Sequence, residues 1–454
     1  MPMDKKTILD NVASMTADQL FEEIKDGTVS LEEINDTGVL ENTKRNKIRK
    51  LQEQYETNDK EAWDSVRYTL KEEKLSDYIQ NFPNGKYVQD AKDKMDEMDR
   101  DRKKRKAAKQ GILDKIRRNP NDFSYIEIIA FLDDGTISKE DLLDCSIPQS
   151  AIDNLQKVNV QKLIIGKTPD KIADGFTEVY FWGGPGSGKT CALGAVLQMA
   201  EKKGYLTLAQ GDGYAYASQI TNIFSDDGIA NDYLPDPTDE EKTQYLPFTL
   251  KKDGEKDCSS VSLIELSGEI HKCFFDKISG KPMAEQLQNT FNLVISFLND
   301  NRNRKIHFFF IEYCTENKKD EFGLNDQNYL SAAATYFTEN KIFKKSTDAI
   351  YIVLTKSDLL RDEYGNPVSL ENRVKYAKKY LEENNYKAFT NSIKSICRKE
   401  SINEGVLPIV PFSLGKVYFE KIGDFEGSAA NEVLEILMER IPKKSTSFFN
   451  FLEG

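Results

Sequence analysis

The chain has 454 residues, 30% of them charged and 39% hydrophobic, a balance that fits a folded protein of two or three domains and excludes a largely disordered one. The 63 basic and 75 acidic residues leave a formal net charge of −12, which argues against general affinity for nucleic acid. Two histidines and six cysteines without C-x-x-C spacing argue against a histidine-centred triad, a zinc cluster and a disulfide framework.

The opening "MPMDKKTILDNVASM" lacks the apolar stretch of a signal peptide, and no window approaches the roughly 18 uninterrupted apolar residues of a membrane span. The expectation is a cytoplasmic protein with reduced thiols. Residues 1–160 pattern as charged helices and carry an imperfect repeat. "ILDNVASMTADQLFEEIKDGTVSLEEI" from Ile8 echoes "ILDKIRRNPNDFSYIEIIAFLDDGTISKEDL" from Ile112. Each copy has an Asp-Gly-Thr turn, at Asp26 and at Asp134, followed by a helix start with capping-box spacing, Ser30 with Glu33 and Ser138 with Asp141. The copies, about residues 8–55 and 112–157, read as helical hairpins, each with a third helix beginning near Asn42 or Pro148. Between them, residues 59–110 hold Trp63, Leu75 and Tyr78, a Phe-Pro-Asn-Gly turn, then Tyr87 and Ala91, a pattern resembling a tetratricopeptide-like hairpin. Such a unit cannot bury its own face and must pack on the flanking hairpins or on a partner; the helical region is the expected meeting place for a protein partner. The basic run Arg102 to Lys106 reads as a solvated helix face.

From 161 onward strand-like and helix-like runs alternate. Strands are expected over 179–182, in "YLPFTLKK" and "VSLIEL" as an antiparallel hairpin, and over 305–313, 348–354 and 406–411. Helices are expected after residue 190 and over 284–298, 328–337, 371–398 and 430–441, with 204–245 a turn-rich loop holding a helix or two. The fold class is therefore α/β, a mostly parallel doubly wound sheet preceded by an all-α region, with the ligand at the carboxyl ends of the strands.

"YFWGGPGSGKT" carries the chemistry. Gly183, Gly184, Pro185, Gly186, Ser187, Gly188, Lys189 and Thr190 fit G-x-x-x-x-G-K-[ST] between a strand and a helix, with Cys191 next. Glycines turn backbone N–H groups onto a phosphate chain, lysine neutralises its oxygens, and the hydroxyl reaches Mg²⁺. After the strand "DAIYIVLT" stand Thr355, Lys356, Ser357 and Asp358. A carboxylate there can accept from guanine N1–H and the N2 amine, which adenine cannot supply, with the lysine stem along the base. The alternative is that Ser357 or Asp358 caps a helix in an ATP-using protein.

In this order the motifs resemble the translation-factor-related (TRAFAC) class of P-loop GTPases with a Ras-like core, and look most like bacterial double-GTPase-type families, some linked to defence systems. The resemblance covers 161–454. It implies GTP and GDP as ligands with Mg²⁺, the metal held by Thr190, a switch threonine and the acid of D-x-x-G, where this chain has Glu265 in "ELSGE". Gly268 would touch the γ-phosphate; Glu269 stands where relatives use glutamine, either as base and water clamp or as a solvated acid. Thr238 is favoured over Thr243 as the switch threonine. Ser413 and Leu414 of "SLGK" would approach the guanine O6. Lys189, Glu269 and Thr238 are then the catalytic candidates of a switch that hydrolyses GTP slowly without an activator. A nucleotide-dependent dimer is left open, as is an adaptor whose nucleotide is structural.

Overall fold

The computed structural model describes residues 3–155, 163–164, 168–211, 213–226, 233–235, 243–251, 258–314, 319–320, 322–384 and 386–441. The chain separates into two compact units, Met1–Asp114 and Lys115–Gly454.

The first unit is helical: α1 (Lys5–Asp10), α2 (Ala17–Lys25), α3 (Leu31–Asp36), α4 (Asn42–Val66), α5 (Glu72–Asn81) and α6 (Val88–Arg118), the last crossing the boundary. Thr16 and Ser30 start α2 and α3 with reciprocal capping boxes to Gln19 and Glu33, so two otherwise orphaned N–H groups are satisfied at each start. The hairpin buries Ile8, Val12, Leu20, Ile34 and Ile48 together. A second cluster of Leu75, Tyr78, Val88 and Ala91 surrounds the buried carboxylate of Asp59, which accepts from Tyr78 Oη at 2.5 Å and from Lys86 N at 2.8 Å. Arg102 to Lys106 are exposed on α6, where Arg102 pairs with Glu72 and Lys103 with Asp99.

The second unit opens with the other helical hairpin, α7 (Tyr125–Asp133), α8 (Lys139–Asp144) and α9 (Gln149–Asn154). It repeats the first in detail. Ser124 and Ser138 form capping boxes with Glu127 and Asp141, and Gly135 takes the left-handed turn (φ 74°) that Gly27 takes in the first copy (φ 76°). Ile128, Ile137 and Leu142 are buried where Leu20, Val29 and Ile34 are.

The sheet has seven strands: β1 (Thr177–Trp182), β2 (Leu206–Leu208), β3 (Gln244–Leu250), β4 (Ser259–Glu265), β5 (Arg304–Glu312), β6 (Thr347–Thr355) and β7 (Ile409–Pro411), in the order β2-β3-β4-β1-β5-β6-β7. β4, β1, β5, β6 and β7 run parallel; β3 is antiparallel to both β4 and β2. The period of two sorts the central strands onto two faces. Val179, Phe181, Phe308 and Phe310 pack under α10 (Lys189–Lys202), α11 (Tyr214–Ile223) and, further along the chain, the helix Ser428–Arg440. Tyr180, Trp182, Phe309 and Ile311 pack under α12 (Ile270–Ser279), α13 (Glu285–Asn299), α14 (Asp326–Glu339), α15 (Arg373–Glu383) and α16 (Lys387–Glu400). Helices on both faces make this the expected doubly wound α/β fold.

Three details differ from the sequence reading. The stretch over 371–398 forms two helices, parted between Glu383 and Lys387. The three-residue β2 adds an edge strand inside 204–245. After β7 a small hairpin, β8 (Gly415–Tyr418) with β9 (Lys421–Phe425), joins the structure. Asn121, just ahead of α7, donates to Val417 O at 2.9 Å and accepts from Glu420 N at 3.3 Å, which seats the helical hairpin on β8–β9. In the sheet itself, Glu178 and Lys305 sit side by side in the β1–β5 register and form a fully buried ion pair at 2.7 Å. His307 is a core residue whose Nδ1 accepts from Trp182 Nε1 at 3.1 Å.

Candidate nucleotide site

Because β1, β4, β6 and β7 are parallel, the loops after them share one edge of the sheet, and those loops carry the four motifs. β1 delivers the chain into Gly183 to Gly188, and α10 starts at Lys189. The Lys189 ammonium is almost fully buried and donates to Gly183 O at 2.7 Å and Gly184 O at 2.9 Å. Burial pulls its pKa down to about 8, against the opposing pull of Glu265 and Asp326. Asp326 opens α14 beside the loop: a Cβ on Gly184 would lie 2.5 Å from its Oδ1.

Thr190 donates its hydroxyl proton to Glu265 Oε1, and Tyr216 Oη donates to Glu265 Oε2 at 2.6 Å. Glu265 is 1% exposed, and burial raises its pKa despite those donors. Gly268 packs directly on the phosphate loop, since a Cβ there would lie 2.4 Å from Pro185 N. Glu269 is buried with its carboxylate 2.8 Å from Lys272 Nζ. Thr238 lies outside the described residues. Thr243 is buried at the start of β3, and its carbonyl accepts from Thr168 Oγ1 at 2.6 Å. The Cys191 thiol is pushed up to about 12 by burial, so it remains neutral.

Thr355 ties the end of β6 to the phosphate loop by donating to Ser187 O at 2.9 Å. Lys356 takes a left-handed backbone conformation (φ 54°) and pairs through Nζ with Glu312 Oε1 at the end of β5. The register sets Glu312 beside Thr355, which explains why the next side chain can fold back over it. Asp358 sits inside a single turn, Ser357–Leu359, that has no side-chain cap. Its Oδ1 accepts from Ser413 Oγ at 2.9 Å, and that same Oγ accepts from Gly415 N at 3.0 Å. Burial raises the Asp358 pKa, with Ser413 opposing. Leu414 follows at the half-buried bend into β8.

Thr190 and Glu265 offer Mg²⁺ hard oxygen donors in contact with each other. Among the described residues no group of three or more His, Cys, Asp and Glu side chains could hold a metal. Mg²⁺ takes one or two protein oxygens and fills the rest of its octahedron with phosphate and water, a demand that the paired oxygens of Thr190 and Glu265 fit. Three residues at this edge went unread in the sequence. Tyr216, Asp326 and Glu312 reach it from separate elements, with no local motif to mark them.

The fold and edge define an α/β protein with a P-loop at the carboxyl ends of its parallel strands. No family model matches the chain, and no curated protein is similar to it in sequence. Similar solved structures include the GTP-bound GTPase-like domain of S. cerevisiae Ski7, at 15% identity and a TM-score of 0.29 over 60% of this chain and 52% of that one. Another is the signal recognition particle receptor SRb-GTP/SRX complex of Chaetomium thermophilum, at 16% and 0.30 over 59% and 99%. A third is nucleolar GTP-binding protein 1 of Plasmodium falciparum, at 12% and 0.25 over 59% and 91%. The chain thus spans about half the length of the Ski7 chain it resembles.

Proposed function

We propose that this chain binds guanine nucleotides with Mg²⁺ and hydrolyses GTP slowly, as a switch whose helical N-terminal region meets a protein partner. The observation that carries this reading is the Ser413–Asp358 hydrogen bond at 2.9 Å, on the same sheet edge as the phosphate loop. It aims a half-buried carboxylate whose second oxygen serves a base edge, while Thr355 links that turn to Ser187. In this arrangement phosphates lie along 183–190, Lys189 exchanges two loop carbonyls for phosphate oxygens, and Thr190 with Glu265 holds the metal directly or through water.

Slow turnover follows from the same residues. Glu269 stands where a water-orienting amide is usual, and Lys272 already holds its carboxylate. A charge-stabilising arginine supplied by a partner would accelerate such a site. Titration with fluorescent GTP and ATP, each with Mg²⁺, tests the ligand class, and single-turnover hydrolysis tests the chemistry. The expected results are tight GTP binding, weak ATP binding, and a slow phosphate release that Lys189→Ala abolishes. Equal binding of the two nucleotides refutes the guanine reading; GTP binding without release leaves the adaptor with a structural nucleotide.

A further inference from the structure

The departure at Glu265 has a structural counterpart. A glutamate is one methylene longer than aspartate, so at the end of β4 its carboxylate has an extra rotatable bond and more positions to choose from. Two donors remove that freedom. Tyr216 Oη holds Oε2 at 2.6 Å, and Thr190 Oγ1 donates to Oε1. Tyr216 is fully buried in the same core cluster as Phe181, Leu246 and Leu263, and it comes from α11, which no nucleotide motif includes.

Resting on the nucleotide reading above, we propose that Tyr216 is a positioning residue of the Mg²⁺ site. It anchors Glu265 so that the nearer oxygen takes the Thr190 proton. With that proton directed to Glu265, the carboxylate makes the Thr190 oxygen a better donor to a cation. A hydrogen-bond partner that orients a metal ligand in this way commonly sets metal affinity within a factor of about 10–100. Without the phenol, Glu265 loses one of its two described anchors in a buried setting and can swing from Thr190.

The test is Tyr216→Phe, which keeps the ring in the core and removes only the hydroxyl. Release of fluorescent GDP is followed while Mg²⁺ is titrated, and again in excess chelator; melting is recorded in parallel. The variant is expected to need about tenfold more Mg²⁺ for half-maximal slowing of release, with chelator-limited release unchanged. In a Glu265→Asp background, whose shorter acid does not reach Tyr216, adding Tyr216→Phe is expected to change the Mg²⁺ requirement by less than about twofold. A merely structural tyrosine lowers the melting temperature and leaves the Mg²⁺ midpoint where it was; that result overturns the inference while the nucleotide reading stands. Wild-type release that ignores Mg²⁺ overturns the metal reading, and this inference with it.

Discussion

Gly268→Ala tests the contact between the "ELSG" loop and the phosphate loop. The added Cβ would lie 2.4 Å from Pro185 N, 2.6 Å from its Cδ and 2.7 Å from its Cγ. An ordinary contact between such atoms is roughly 3.5–4.0 Å, so the loops must part by about 1 Å. The atoms met belong to a proline ring and main chain, which cannot swing aside. Overpacking of this size costs about 1–3 kcal/mol. Moving the loop also carries the Gly268 N–H away from a γ-phosphate, a charge-assisted bond contributing about 1.5–3 kcal/mol. GDP lacks that phosphate and is spared the second loss. GTP affinity should therefore fall about 10- to 100-fold, at roughly 1.4 kcal/mol per tenfold, with GDP affinity changing less than about threefold. Equilibrium titration with a non-hydrolysable GTP analogue and with GDP reads both numbers. An unchanged ratio of the two affinities would refute the reasoning, because the loops would then not need to touch when the γ-phosphate is bound.

Three other outcomes are expected. Lys305→Ala leaves the fully buried Glu178 with Asn303 and Tyr180 but no cation; unfolding in urea should show a loss of about 3–5 kcal/mol, and a loss below 1 kcal/mol contradicts the ion pair's role. Glu312→Gln frees Lys356 from its partner, so affinities for GTP and GDP should drop together by about 3- to 10-fold, as a charge-assisted contact implies, without a change in preference over ATP; a shift in base preference counts against this. Burial lowers Lys189 from the ordinary 10.5 to about 8. As pH rises through 8 the folded form sheds this proton before the unfolded form does. The residue therefore penalises folding below pH 8, and the penalty is relieved between 8 and 10.5. Phosphate oxygens favour the charged form, so binding at about pH 8.5 should take up a proton. Calorimetry in buffers of different ionisation enthalpy reads that uptake, and persistence in Lys189→Met contradicts the assignment.

What the sequence made legible was local. The phosphate loop is one unbroken run between β1 and α10, and the hydrophobic periods of two and 3.6 gave the long strands and helices. The repeated hairpins showed themselves through turn and cap chemistry confined to a few residues. Short elements escaped because three to five residues carry too little pattern: β2 has three, and β8 and β9 have four and five. The break between α15 and α16 has no proline or glycine, and its signal, the Asn384–Asn385 pair with Asn384 capping α15, is weaker and too slight to announce it. The contacts that shape the site are long-range. Tyr216 meets Glu265 across 49 positions, Ser413 meets Asp358 across 55, and Thr355 meets Ser187 across 168. Ser413 and Thr355 stood in recognisable motifs, whereas Glu312 became visible only through the sheet register, and Tyr216 and Asp326 only through the packing of α11 and α14 beside that edge.

The most direct test of guanine recognition is nucleotide choice in Asp358→Asn. The half-buried carboxylate that Ser413 orients would accept from guanine N1–H and the N2 amine, and an amide replaces one acceptor with a donor. Titrations of wild type and variant with GTP, XTP and ATP, all with Mg²⁺, compare the three bases on one protein. The account predicts that wild type prefers GTP and that the variant loses GTP affinity and gains XTP affinity, since xanthine presents a carbonyl where guanine presents its amine. Equal binding of ATP and GTP by wild type, with no change on substitution, would contradict it and leave a P-loop protein of another base preference.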